Sequence, residues 1–194
     1  MSKLTLITGA AGGLGRAVTE RLRAQGWQLA LVSRQAERLR DVPSDALAIA
    51  ADCATAEGAA QLDARQAGAA VLVSSVVARI GVVSHDAIAA AKAGVEGLTR
   101  SAAATYSGKG LRVNAIAPGI LRTPATERLF AGPGAEQGIA AQYPLGRYGS
   151  VEDVAGAIAW LLSDDARWVT EQVLPVDGGF TAVRPMVRAG VPAP

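Results

Sequence analysis

The sequence holds a single cysteine, Cys53. An intrachain disulfide is therefore impossible, and one cysteine gives no basis for a cysteine-built metal site; a reducing compartment is the natural setting. Aromatic residues make up only 4% of the chain, so its core cannot be built on large rings. Lysine occurs only at Lys3, Lys92 and Lys109, and the arginines form no run. With a net charge of +2, nothing here resembles the basic stripe that a nucleic acid requires. No apolar stretch reaches the ~18 residues needed to cross a bilayer, and Met1–Ile7 is too short before its glycines to be a signal peptide. A cytoplasmic protein without membrane, nucleic-acid or metal partners is expected.

What is abundant is Ala, Val, Leu and Gly. Half the residues are apolar, and the 22 glycines gather at 9–15, 108–119 and 177–179, where tight turns fall. A chain of 194 residues suits one domain, expected over 1–183, with a proline-containing tail at 184–194. Short apolar runs at Leu4–Thr8, Gln28–Ser33, Ala46–Ala51, Ala70–Ser74, Leu111–Ala117 and Val173–Val176 read as strands. Between them, helical spacing or capping residues mark Gly13–Gln25, a short polar helix over Gln35–Arg40, Thr55–Ala67, a long helix from an N-cap at Ser84 to about Ser107, and Val151–Ser163. The segment 118–149 reads as a Pro- and Gly-rich loop with a helix near Thr126–Phe130. Strands alternating with helices imply an α/β fold, a Rossmann-type doubly wound parallel sheet.

Thr8-Gly9-Ala10-Ala11-Gly12-Gly13-Leu14-Gly15 lies between the first strand and the first helix. Gly9 allows the turn, while Gly12, Gly13 and Gly15 allow close approach of the Leu14 backbone and its neighbours to a pyrophosphate at the helix N-terminus. The second strand ends in Ser33-Arg34. An acidic residue there would repel a ribose 2′-phosphate; a neutral Ser followed by an Arg fork favours NADP(H) over NAD(H).

The pattern Thr-Gly-x-x-x-Gly-x-Gly resembles that of the short-chain dehydrogenase/reductase family. The resemblance continues through Ala51-Asp52, Leu72-Val73-Ser74-Ser75, Ala89–Val95, Arg112–Gly119 with Thr123, and Val176–Gly179. It implies that Asp52 and the Cys53 backbone flank the adenine, that Pro118, Gly119, Ile120 and Thr123 lie beside the nicotinamide, and that Ser75 and Lys92 are catalytic. It further implies a small carbonyl or alcohol substrate and a homo-oligomer paired through the 84–107 helix.

The chain departs from that family in three ways. The Tyr that should stand four residues before Lys92, on the same helix face, is Ile88, which cannot transfer a proton. One strand–helix unit is absent, because the 55–67 helix runs directly into the Ser-bearing strand; that strand must pair with the first or leave a gap. Glu171 stands where the family commonly has Gly. His85 lies one turn before Ile88, but a helix-start histidine resting on solvent or a carbonyl is the plainer reading. Tyr143 and Tyr148 are expected to cover substrate, and Tyr106 lies at the far end of the helix. The functions that follow are an NADP(H)-dependent oxidoreductase with weak turnover, a non-catalytic nucleotide-binding or scaffold protein, or a shortened variant ordered by a partner.

Overall fold

The structure is a computed structural model that describes residues 3–40, 42–52, 55 and 68–183. The expected Thr55–Ala67 helix, Cys53 and the 184–194 tail therefore lie outside the described residues, apart from Thr55.

Six strands appear in the expected order: β1 (Leu4–Thr8), β2 (Gln28–Ser33), β3 (Leu47–Ala50), β4 (Gly68–Val73), β5 (Leu111–Pro118) and β6 (Val173–Val176). The helices are α1 (Gly13–Ala24), α2 (Asp86–Tyr106), α3 (Ala135–Ala140) and α4 (Val151–Leu162). Single 3-10 turns replace the short helices expected at 35–40 and 126–130, at Ala36–Leu39 and Glu127–Phe130. The α3 helix, inside the supposed loop, was not expected.

The N-terminus of α2 corrects an expectation. Its N-cap is His85, not Ser84, and Ser84 adopts a left-handed backbone with φ 61°. Asn or Gly would tolerate that conformation better; serine was placed at the cap by its hydroxyl, which makes no capping bond here. By contrast α4 carries a full capping box, with Ser150 and Asp153 each accepting from the other's backbone N–H.

All strand pairs are parallel, but they form two three-stranded sheets, β1-β2-β3 and β4-β5-β6. No strand pairing joins β1 to β4 among the described residues, so the missing unit leaves a gap rather than a direct pair. One side of that gap is bridged by helices. Helix α4 packs on α1 and on β4 and β5. Ala17, Ala155, Ala159 and Gly156 let those helices approach closely, with the Arg21 guanidinium 3.8 Å from the place a Gly156 Cβ would occupy. Ile7, Leu29 and Leu31 from the first sheet share one apolar cluster with Ile116 from the second, through Leu22, Val154 and Ile158. No described residue packs over the other face of β1 at Leu4 and Leu6. Leu4 and Leu6 are exposed while Thr5 and Ile7 between them are buried, the alternation of a strand covered on one side only.

Helix α2 packs on β4 and β5. Only Glu96, Thr99 and Ala103 of its 21 residues are buried, and Ile88, Leu98 and Tyr106 are exposed. No helix is long and apolar enough to cross a membrane among the described residues.

Candidate functional site

The loop between β1 and α1 is shaped by its glycines, of which Gly15 leaves no room for a side chain. Gly9 has φ 66°, and Gly12 donates to the Gly9 carbonyl at 3.0 Å, closing the turn. A Cβ on Gly15 would lie 2.3 Å from that carbonyl oxygen and 2.8 Å from the Ala10 Cα. Gly12 is the N-cap of α1 and no side chain caps the helix. The first-turn amides thus point outward without a side-chain acceptor, the arrangement that receives an anion. A Cβ on Gly13 would stand 3.2 Å from the Thr123 methyl. The structure therefore brings the glycine loop of the first sheet against Thr123 from the loop following β5, across the gap. Leu14 packs partly against the core and anchors the turn.

At the end of β2, the Ser33 hydroxyl accepts from the Gln35 amide at 3.3 Å. Arg34 is exposed and has no ion pair among the described residues. The Ala51 amide donates to the Ser33 carbonyl, which holds Asp52 beside this strand end. A hollow of about 310 Å³ adjoins the loop, lined by Ala10, Ala11, Arg16, Arg23 and Arg38 among others. Arg23 is paired with Asp45, and Arg16 donates to the Ala11 carbonyl at 3.3 Å. Arg16 and Arg38, which the sequence does not single out, line the same hollow.

Ser75 follows β4 in extended backbone and opens a 3-10 turn over Val76–Ala78. Its Oγ accepts from the Val77 amide at 3.4 Å, which leaves the hydroxyl proton for another acceptor. Lys92, on α2, donates from Nζ to the Val73 carbonyl at 2.8 Å. Val73 is the last residue of β4, at the open edge, so Lys92 satisfies a backbone acceptor there. Ile88, one turn earlier, is 45% exposed. His85 Nδ1 lies 2.7 Å from the Val83 carbonyl, so that nitrogen carries the proton and the ring is held to backbone. This is the plainer reading of His85.

Pro118 pairs with Val176, and the Gly119 amide donates to the Val176 carbonyl. A Cβ on Gly119 would sit 2.9 Å from the Tyr143 ring. Tyr143 is buried, stacks on Phe180 and accepts at its hydroxyl from the Ile120 amide at 2.7 Å. Burial raises its pKa, outweighing the opposing Ile120 bond. Tyr143 thus props the 118–123 loop. Tyr148 is similarly used, edge-on to Phe130 and donating to Glu136. The larger hollow nearby, about 770 Å³, is lined by Arg122, Glu136, Arg147 and Tyr148 and by neither Ser75 nor Lys92. Its arginines are neutralised by Glu127, Glu136 and Asp153.

Parallel half-sheets, helices packed across them and loops gathered at the strands' carboxyl ends define a Rossmann-type α/β protein. The chain belongs to the short-chain dehydrogenase/reductase family: the family model described as enoyl-(acyl carrier protein) reductase matches residues 45–181, and the model described as short chain dehydrogenase matches residues 3–58. It is 48% identical over 122 residues to the cis-4-hydroxycyclohexanecarboxylate dehydrogenase of Sinomonas cyclohexanicum, a match covering 63% of this chain and 48% of that one. It is 43% identical over 123 residues, 61% of this chain and 54% of the other, to the inactive 2-(S)-hydroxypropyl-CoM dehydrogenase 2 of Xanthobacter autotrophicus. The chain therefore spans about half the length of these relatives. Among solved structures, an Agrobacterium tumefaciens protein assigned as a 2-deoxy-D-gluconate 3-dehydrogenase, with bound NADP, superposes with a TM-score of 0.79 at 28% identity, covering 93% of this chain and 97% of that one.

Proposed function

We propose that this chain binds NADP(H) and acts, slowly, as an oxidoreductase on a small carbonyl or alcohol substrate. The observation that carries this reading is the glycine loop: the Gly15 contact forbids any side chain there, and the uncapped α1 amides face the same opening. Gly9, Gly12, Gly13, Leu14 and Gly15 would hold the pyrophosphate. Ser33 and Arg34 would take the 2′-phosphate, with Asp52 and Cys53 at the adenine. Pro118, Gly119, Ile120 and Thr123 would line the nicotinamide side. The bound cofactor supplies a hydride equivalent to a carbonyl carbon, or takes one from an alcohol.

Ser75 would donate its free hydroxyl proton as a hydrogen bond to the substrate oxygen, where negative charge develops. Lys92 would leave the Val73 carbonyl to hold the nicotinamide ribose. The oxygen must still collect a proton, and Ile88 offers none. Loss of a positioned general acid costs about 10²–10⁴-fold in rate. A second reading, a cofactor-binding protein without turnover, is favoured by Ile88 and by the Lys92–Val73 bond. The relative named as inactive is consistent with it. The setting of the activity is the cytoplasm. Exposure of Leu98 and Tyr106 on α2 supports a homo-oligomer paired through that helix, which light scattering of the full chain tests.

Calorimetric titration with NADPH and NADH, followed by a turnover assay on a panel of ketones, decides between the readings. NADPH is expected to bind at least tenfold more tightly, ~1.4 kcal/mol. Arg34→Ala should erase most of that difference while leaving NADH binding nearly unchanged. Equal affinities would refute the cofactor assignment, and tight NADPH binding with no turnover would select the second reading.

A further inference from the structure

Glu96 is a buried acid that the proposed chemistry does not use. It is 7% exposed and lies one turn beyond Lys92 on α2. Its Oε1 accepts from the Ser74 hydroxyl at 3.2 Å and from Arg79 Nε at 3.1 Å, and its Oε2 accepts from the same Nε at 3.0 Å. Ser74, itself 3% exposed, also directs its hydroxyl at the Lys92 carbonyl, 3.2 Å away. These partners have a definite order in the chain. Ser74 immediately precedes Ser75. Arg79 immediately follows the 3-10 turn that Ser75 opens. One carboxylate therefore grips both ends of the segment Ser74–Arg79, with Ser75 inside it. One turn earlier on the same helix face, Lys92 grips Val73.

The pair is half in solvent, with the Arg79 side chain 40% and the Glu96 side chain 9% exposed, so by itself it adds little to stability. What a carboxylate adds is direction: two acceptor oxygens fix two donors at set angles. The need for such a device is visible locally. The turn closes through the Ala78 amide on the Ser75 carbonyl at 3.0 Å, but among the described residues the Ser75 side chain takes only the long 3.4 Å contact from the Val77 amide, which fixes its direction weakly. We infer that Glu96 is a positioning residue for Ser75, setting the 3-10 turn relative to Lys92 so that the two groups stay in register. The inference rests on the reading of Ser75 and Lys92 as the working pair, but its test does not depend on turnover.

The test uses the full chain with Glu96→Gln and Glu96→Ala. The Gln variant keeps an acceptor for Ser74 but loses the charge that holds Arg79; the Ala variant loses both. Hydrogen exchange resolved by residue is read at the Val77 and Ala78 amides, which bond to the Ser75 side chain and carbonyl, and at Ala115 and Ile116 in β5 as a reference. Exchange at Val77 and Ala78 is expected to accelerate at least tenfold in Glu96→Ala and less in Glu96→Gln, with the β5 amides unchanged. In an Ile88→Tyr background, the same Gln change should lower kcat with little change in KM for NADPH. Uniform acceleration at all four amides would show a merely structural role and overturn the inference, as would acceleration of less than twofold at the turn. A selective acceleration in a protein that binds no NADPH would refute the functional reading while leaving the positioning role of Glu96 standing. If Glu96→Ala fails to fold, the isosteric Gln variant decides alone.

Discussion

Glu171 has φ 66°, where a Cβ crowds the backbone, and no sequence feature other than a family departure points to it. Its amide donates to the Val113 carbonyl at 2.7 Å, so the strained conformation is pinned by β5 and cannot relax. A non-glycine residue held there costs about 1–3 kcal/mol, while glycine gives back about 0.5–1 kcal/mol in chain entropy. Glu171→Gly is therefore expected to stabilise the fold by about 1 kcal/mol, raising the thermal midpoint by about 2–4 °C for a chain of this size; an unchanged or lower midpoint would contradict the strain argument. Ile88 poses the opposite case, a residue at ease in the fold but wrong for proton transfer. Being 45% exposed, it can become Tyr without burying a hydroxyl. Ile88→Tyr places a phenol one turn before Lys92 and should raise the rate of NADPH-dependent ketone reduction by about 10²-fold or more, measured in steady state. If the rate stays flat while NADPH still binds, the missing strand–helix unit has damaged the site beyond what one phenol repairs.

Helix α4 shows how an element end can be tested. Asp153 accepts two bonds from Arg147 and one from the Ser150 amide, and Arg147 is the larger influence that holds its pKa down to about 2. A carboxylate depressed in the folded state adds stability that is present above its unfolded pKa, near 4, and is lost as pH falls toward 2. Asp153→Asn should therefore be less stable than the unmodified protein at neutral pH, by a modest amount because Arg147 is solvent-exposed. The difference should shrink through the window from about pH 4 to pH 2; denaturant midpoints that differ by the same amount at pH 7 and pH 2 would rule out this linkage. Elements of this kind were the most legible in the sequence. The bounds of β1, β2 and β6 were anticipated to the residue, because apolar runs closed by glycine or a polar turn leave little choice. Strand β4 begins two residues earlier than expected because Gly68 and Ala69 pair with Leu111 and Arg112, a tertiary contact no local signal carries. The same holds for Glu96, whose partners Ser74 and Arg79 lie 22 and 17 residues away along the chain. Ser84 misled for another reason: its residue type favours a cap, but its backbone is left-handed.

Among the described residues the molecule is two half-sheets sharing one apolar core, and the candidate cofactor residues are divided between them. Gly9–Gly15, Ser33, Arg34 and Asp52 belong to the first half, and Ser75, Lys92 and the 118–123 loop to the second. They meet at the gap, where Gly13 approaches Thr123. The gap itself was foreseeable only as one of two outcomes, because sequence order does not say whether β4 moves to β1 or stays apart. Its consequence is specific. A ligand that contacts both halves should stiffen both, whereas one that contacts only the adenosine side should stiffen one. A ligand at 100 times its Kd stabilises by about 2.7 kcal/mol wherever it binds the folded state alone, so total stabilisation can be matched between two ligands by concentration. Compared on that footing, NADPH is expected to slow hydrogen exchange at β2 amides such as Leu31 and at the turn amides Val77 and Ala78. Adenosine 2′,5′-bisphosphate, which lacks the nicotinamide ribose, is expected to protect β2 with little effect at Val77 and Ala78. Equal protection of the turn by both ligands would mean that the α1–α4 contact already couples the halves and that the nicotinamide side adds nothing. Protection by neither would remove the glycine loop as a binding site.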